Sequence, residues 1–525
     1  MMKRLALALL ASTVAVTTVA TPVPAAAQTR SEIEQTMRRA TRFMVEEVST
    51  NGGYVWSYLP DLSRRWGEIE AKPSMIWVQP PGTGTMGHLF LDAYHATGDE
   101  YYYRAAERAG EALVWGQHES GGWNYFIDFG GEASTRHWYE TIGKNAWRME
   151  EFQHYGGNAT FDDAGTSEAM QFLLRLYLEK RDPKWRPSVE RSIDFVLESQ
   201  YPIGGWPQRY PHSDSYPAYA RLITFNDDVA AENIRFLLMA YQALGETRVR
   251  DAIVRGMNVF LTTQMGAPQA GWALQYTTEL QPTGARSYEP PALVTHTTAA
   301  NVQALMNFYR ITGETKFLAR IPEALDWLES VRLPAGQERN GRAYPTFIEI
   351  GTNRPLYVHR RGSNVVNGEY YWDYSPENTI GHYSAFRAID VAALRREYEQ
   401  LRAMTPEAAR AGSPLFATDA QPLPRYFVSG AQTGSDLNAG GGGEPRALIR
   451  ALNARGYWPT PLRATSNPYR GDGSPEPQPG DFRTTHVGDA TDTSPFNTDT
   501  PVIGISTATY IANMASLIRA LEGRR

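Results

Sequence analysis

Apolar residues recur at the three- and four-residue spacing of an amphipathic helix through most of the chain, and one helical pair comes round four times. Aligned on tyrosine, the first helix of each pair ends in "LFLDAY" at Tyr94, "FLLRLY" at Tyr177, "FLLMAY" at Tyr241 and "ALMNFY" at Tyr309. A short turn and a second amphipathic run follow each time. Three of these second runs close on Gln and pass into a Gly-Trp loop: "QHESGGW" (117–123), "QYPIGGWPQ" (200–208) and "QMGAPQAGW" (264–272). The unit spans roughly 65 to 80 residues and cannot bury its apolar faces alone, so neighbouring units must stack. The pattern predicts an all-α fold, an (α/α) barrel or toroid built from repeated helical hairpins. Each hairpin brings the chain back to where it began, so the starts of the first helices and the Gly-Trp loops share one mouth.

The helical period fades after residue 404, where "NAGGGGEP", "NPYRGDGSPEPQPGDF" and "GDATDTSPFNTDTP" are rich in Gly, Pro and Asp. The expected organisation is a toroid over 28–404 and an irregular C-terminal extension over 405–525 that packs on it, with a helical stretch near each end of that extension. At the other terminus, "MMKRLALALLASTVAVTTVATPVPAAAQ" has the basic start, short apolar run and small residues of a secretory signal, so residues 1–27 are expected to be removed from a periplasmic or secreted protein. Thr and Pro break the apolar run before it can span a bilayer, so no membrane insertion is expected.

Composition narrows the function classes. The 525 residues are 42% apolar and 12% aromatic, enough for a large core, and a net charge of −6 without basic runs argues against nucleic acid as a partner. Cys is absent, which removes disulfides and thiolate metal sites. The expectation is a monomer stabilised by packing.

Two helix starts at the shared mouth are acidic: "TFDDAGT" (160–166) and "TFNDD" (224–228). Helix capping explains one Asp or Asn at such a place, but not two or three. With Trp and Tyr around the mouth, the arrangement suits carbohydrate: aromatic faces stack on sugar rings, while amides and Arg grip hydroxyls and acids. Trp123, Trp206, Gln208 and Arg354 are the candidate substrate-binding residues. A purely structural reading, in which each Trp plugs its own hairpin and each acid caps its helix, stays open.

"TFDDAGT", "SQYPIGGWPQRYP", "LITFNDD", "ARSYEPPAL" and "FIEIGTNRPLY" resemble, in that order, segments of the family-ten pectate lyases, also called pectic acid lyases, over roughly residues 85 to 390. The resemblance implies an α/α toroid and Ca²⁺-assisted β-elimination of an acidic, uronate-containing polysaccharide or oligosaccharide. It also implies that Asp162 and Asp227 are calcium-associated acids; Asp163, which stands where the family usually has Asn, is the third candidate metal ligand. Oxygen ligands of this kind suit a hard cation, which would stabilise the charge that develops when a uronate loses H5.

The chain departs from the family where the family's base, an Arg, would stand: "AYPTFIEIGTNRP" has Thr346 there. Arg209, His296 and Tyr344 are the remaining catalytic candidates, with His359 a weaker one. Arg209 lies in the loop beside the acids, and His296 begins the fourth first-helix, where an imidazole can act as general acid or base. Another carbohydrate-active enzyme on the same toroid, a glycoside hydrolase or an oligosaccharide dehydratase, and a non-catalytic glycan-binding protein are the alternatives.

Overall fold

The computed structural model describes residues 29–361, 369–380, 384–432, 442–466 and 492–523; the expected signal segment, 1–27, lies outside the described residues. Its α-helices are α1 (Arg30–Phe43), α2 (Thr83–Thr97), α3 (Glu100–Trp115), α4 (Glu132–Thr141), α5 (Gly165–Lys180), α6 (Arg186–Ser199), α7 (Val229–Leu244), α8 (Arg250–Thr263), α9 (Thr295–Thr312), α10 (Ile321–Ser330), α11 (Val391–Arg402), α12 (Pro406–Ala409), α13 (Pro445–Ala451) and α14 (Thr507–Leu521). The four hairpins expected from the repeat are α2/α3, α5/α6, α7/α8 and α9/α10. Their first members pack side by side as the inner layer, α2 on α5 and α5 on α7, and their second members lie outside. The fold is an all-α toroid.

Burial separates the two layers. Every residue of α5 from Gly165 to Tyr177 is buried, because this helix has neighbours on all sides. The outer α3 instead buries one stripe, with Tyr102, Ala105, Ala106, Ala109 and Leu113 facing inward. Inner helices therefore place polar groups in the interior, and two pairs form there: Arg175 meets Asp92 at 2.7 Å and Gln171 donates to Glu232 at 2.7 Å.

The Gln and Gly-Trp signature is a structural device. Gln117 Nε2 donates to the Gly121 and Ser188 carbonyls, Gln200 Nε2 to those of Gly204 and Ala252, and Gln264 Nε2 to those of Ala270 and Arg320. Each amide thus closes its own loop and fastens it to the next outer helix. Gly121 and Gly204 hold φ near +103° and +109°, and a Cβ at either would sit 2.1 Å from a carbonyl of that next helix. The Trp then turns inward: Trp123, Trp206 and Trp272 have no exposed surface and donate Nε1–H to the carbonyls of Leu113, Val196 and Phe260. The plug reading therefore holds for Trp123 and Trp206, which are core residues with no free ring face for a sugar. Removing a Trp from such a site costs about 3–5 kcal/mol.

The C-terminal segment does more than pack on the ring. Residues 404 to 432 cross beneath the far ends of the inner helices: Tyr309 Oη donates to the Met404 carbonyl, Gln242 Nε2 to that of Pro422, and Arg175 Nη2 to that of Arg425. Asp92 accepts from Phe427 N, Ser429 N and Ser429 Oγ. The far mouth is in this way closed by the chain itself. Strand Phe496–Ser506 then pairs with Thr460–Thr465 and with Ser57–Tyr58 at the open mouth, and α14 descends beside α2 with α1 against it. α14 is buried from Tyr510 to Ile518 and adds a fifth inner helix, whose outer partner is the N-terminal α1. Among the described residues no helix is long and apolar enough to cross a membrane.

Candidate active site

Neither acidic helix start is a cap. No side chain caps α5 or α7, and the two residues before each helix lie in the left-handed region: Asp163 and Ala164 at φ +49° and +58°, Asp227 and Asp228 at +54° and +57°. Paired left-handed non-Gly residues are costly, and such strain collects at functional sites. Asp and Asn tolerate this region better than Ala. Ala164→Gly is accordingly expected to raise the unfolding free energy by about 1 kcal/mol, as read from urea denaturation. A loss of stability instead would mean that the Ala164 methyl packs more favourably than its backbone is strained.

The kinked turns lie against each other, and Arg286, from "ARSYEPPAL", reaches between them. Its guanidinium is 3.4 Å from Asp162 Oδ2, 3.1 Å from Asp227 Oδ2, 3.0 Å from Glu289 Oε2 and 3.8 Å from Glu151 Oε2. Neutral donors hold the acids from the other sides. Tyr125 Oη and Gln208 Nε2 donate to Asp162, Tyr288 Oη donates to Glu151 at 2.6 Å, and Gln79 Nε2 donates to both Glu68 and Asp163. Asp162, Asp163 and Asp227 are thus brought to one place, with Gln208 among their supports, as the common-mouth argument requires.

Charge is unbalanced here. Glu68, Glu151, Asp162, Asp163, Asp227 and Glu289 surround the single Arg286 guanidinium. Burial is the largest influence on each shifted acid, and neighbouring carboxylates reinforce it, so Glu68 is pushed up to about 8, and Asp163 and Asp227 well above the usual carboxylate range. Burial also raises Glu151, to about 7, against the opposing pull of Arg286. At Asp162 burial is outweighed by Arg286 and by hydrogen bonds with Asp227, Tyr125 and Gln208, which hold its pKa below the usual value. Asp162 is wholly enclosed, whereas the Asp227 side chain keeps 21% of its surface open, so Asp227 faces the mouth and Asp162 its floor.

The other expected site residues lie elsewhere or act differently. Arg209 is buried against Asn124, Asn158 and the rings of Tyr125 and Tyr216, and these phenols outweigh burial and raise its pKa, so it cannot serve as a base. His296 is pushed down to about 3 by burial and by Arg387, a cation outside the acid cluster. Tyr344 lines a separate cavity with Glu329, Arg332 and Asp390. Arg354 stacks on Tyr374 at a loop. His359 is enclosed between the Asn378 carbonyl and Asp373. Thr346 has no exposed surface; it donates to the Ser384 carbonyl and accepts from Arg387 Nε at 3.2 Å.

Sequence reasoning missed Arg286, Glu68, Glu151, Glu289 and Gln79. Arg286 and Glu289 sit in the quoted "ARSYEPPAL", where an Arg three residues before a Glu signals a local ion pair. Glu68 and Gln79 carry no such signal, because they come from the N-terminal loops and join the cluster through the fold alone.

Calcium has to be weighed against this arrangement. Among the described residues no three acidic or His side chains are drawn close enough together to hold a metal ion as they stand. The chemistry of the donors nevertheless fits a hard cation: all are oxygens, and the buried negative charge exceeds what one guanidinium offsets.

Residues 128–373 match the family model described as pectic acid lyase, so the resemblance carried by the motifs holds over that span. No curated protein matches. Among solved structures, a family 10 polysaccharide lyase from Cellvibrio cellulosa aligns at 17% identity over 61% of this chain and 98% of its own, with a TM-score of 0.42. A mutant of a Cellvibrio cellulosa family 10 lyase, in complex with trigalaturonic acid, aligns at 17% identity over the same shares of the two chains, with a TM-score of 0.43. A cellobiose 2-epimerase from Spirochaeta thermophila aligns at 12% identity over 60% of this chain and 72% of its own, with a TM-score of 0.38.

Proposed function

We propose, proceeding from a chain that resembles the pectic acid lyases over residues 128–373, that the protein is an exported, monomeric polysaccharide lyase whose reaction centre is the acid cluster around Arg286. Its substrate is a uronate-containing polysaccharide or oligosaccharide, cleaved by β-elimination. The observation that carries this reading is the convergence of the two strained acidic turns on one buried guanidinium, at motifs that lie inside the matched span. Export rests on the signal-like pattern of residues 1–27.

In the reaction H5 leaves as a proton, the C4–O bond breaks, and a C4–C5 double bond forms. Asp162, Asp163 and Asp227 would hold a divalent cation, Ca²⁺ by its preference for carboxylate oxygen, which would supply Lewis acidity toward the uronate carboxylate. Arg286 keeps Asp162 ionised and fixes both turns. Glu68 is the proton carrier in this reading: it is half-buried where the cluster opens into a large cavity, and a carboxyl raised to about 8 is, in its ionised form, a stronger base than an ordinary carboxylate, so that form takes H5 and then delivers the same proton to the departing O4. Thr346, wholly enclosed, takes no part.

The test is to supply acidic polysaccharides with and without chelator and to follow both the ultraviolet absorbance of unsaturated uronate and the release of reducing ends. The expected result is absorbance that rises with reducing ends, disappears with chelator, and falls at least ~100-fold in Glu68→Gln. Reducing ends without absorbance would place the protein among hydrolases. Binding with neither signal would leave a glycan-binding protein.

A further inference from the structure

At the start of α9 the chain builds an antiparallel sheet from Ala292–Val294, Phe347–Glu349, Pro355–Arg361 and Glu369–Asp373, in that order. Register sets Val294 opposite Phe347, Phe347 opposite Leu356, Val358 opposite Trp372 and Arg360 opposite Tyr370. Side chains two residues apart share a face, so Leu356, Val358, Tyr370 and Trp372 look the same way as Val294 and Phe347. That face packs on Tyr288, the residue whose Oη donates to Glu151 in the acid cluster. The Tyr370 ring meets Tyr288 edge-on with centroids 5.4 Å apart, and its Oη donates to the Trp147 carbonyl at 3.3 Å.

Trp372 is the next side chain on this face, about 6.6 Å further along the strand. Its cross-strand partner Val358 is buried, whereas Trp372 keeps 43% of its surface exposed. Tyr374, just past the strand, is exposed to the same extent. Its Oη donates to Glu349 at 2.8 Å, and the Arg354 guanidinium lies over its ring at 3.3 Å. Two large rings are thus held at the surface next to a face that leads to the acids, and each forgoes much of the burial that a core aromatic gains. Trp123 and Trp206 are enclosed, so Trp372 and Tyr374 offer the open ring faces that those two do not.

We propose that Trp372 and Tyr374 form a platform for the substrate chain, stacking on sugar units beyond the one that reacts at the acid cluster, with Arg354 turned to a uronate carboxylate. A pyranose is apolar across its C–H faces and polar around its rim, which matches aromatic faces bordered by a guanidinium. The proposal rests on the reading of the acid cluster as the reaction centre and adds a preference to it. A short oligosaccharide fills the cluster alone; a longer one also reaches Trp372.

Calorimetric titration of the full chain carrying Glu68→Gln, which suppresses the proposed turnover, tests this in the presence of Ca²⁺. The probes are uronic-acid oligosaccharides of two and six units, from polygalacturonate and from alginate. In at least one series the six-unit chain is expected to bind at least ~10-fold more tightly than the two-unit chain. Adding Trp372→Ala is expected to remove that gain and to leave two-unit binding unchanged. Trp372→Phe, which keeps a ring, is expected to restore most of the gain, and Arg354→Gln to weaken the six-unit chain alone, with every variant shown folded by an unchanged cooperative melt. No gain with length in either series, an equal loss at both lengths, Trp372→Phe as weak as Trp372→Ala, or no binding of any probe would overturn the proposal. Absence of unsaturated product from the native chain, with length-dependent binding intact, would instead remove the proposed reaction and leave the platform standing.

Discussion

Arg286→Met is expected to cost about 3–5 kcal/mol of stability at pH 8, the magnitude that follows when one partner of a buried charge network is removed and the opposite charges stay behind. Methionine keeps much of the aliphatic volume, so the loss reports charge rather than a cavity. The deficit should shrink toward pH 5. Without the guanidinium, the surrounding carboxylates have folded-state pKa values raised above their unfolded values of about 4. Groups shifted in this direction give stability that is fully present below the unfolded pKa and is lost as pH rises through the folded one. The native protein already shows this direction at Glu68 and Glu151, pushed up to about 8 and 7, so its own metal-free stability should decline from pH 5 to pH 8, and the variant's more steeply. Urea unfolding at both pH values, in chelator, measures the difference. A deficit of equal size at pH 5 and pH 8 would assign the effect to packing.

The ring was legible in the sequence because it repeats. Four tyrosine-aligned helices and three Gln-to-Trp loops announce a hairpin period, and the structure shows why each signature residue is there: Gln200, for instance, ties its own loop to α8. The same regularity misled the reading of Trp123 and Trp206, since a Trp that recurs in every unit serves what every unit needs, which is a filled hairpin. The acidic turns were legible as a common site because the hairpin geometry forces them to one mouth. Their strained backbone was not, as nothing in "TFDDAGT" distinguishes a left-handed pair from an ordinary cap. The fifth inner helix was hidden for another reason. α14 joins α1 across nearly the whole chain length, and no local pattern encodes a contact of that range. His296 and Tyr344 stand out in the sequence only by residue type at a helix start or a motif; in the folded chain the charge that acts on His296 is Arg387, and Tyr344 lines a separate cavity with Arg332.

Within the cluster the three candidate metal-ligating acids should part company on substitution. Asp162 keeps its charge, enclosed by Arg286, Tyr125 and Gln208, so Asp162→Asn removes a favourable ion pair and is expected to destabilise by about 1–3 kcal/mol. Asp163 and Asp227 stand in the opposite situation, because burial and their acidic neighbours raise both pKa values. An amide there imitates the protonated acid and removes a repulsion. Asp227 Oδ2 accepts from Arg286 and Asn226, and an Asn oxygen can accept the same bonds. Asp163→Asn and Asp227→Asn are therefore expected to leave metal-free stability unchanged near pH 5 and to raise it by about 1 kcal/mol at pH 8, in line with the gain commonly seen when functional strain is relieved. Both should lose most of the proposed eliminase activity, since an amide is a poorer ligand than a carboxylate for a hard divalent ion. They should also lose the rise in melting temperature that Ca²⁺ is expected to give the native protein by binding the folded state. Measuring the melting temperature at pH 8 with chelator and then with Ca²⁺ separates the two effects in one experiment. If both variants melted lower than the native chain in chelator, the two acids would be structural partners of Arg286; if both kept full activity, the strained turns would have to be explained without a cation.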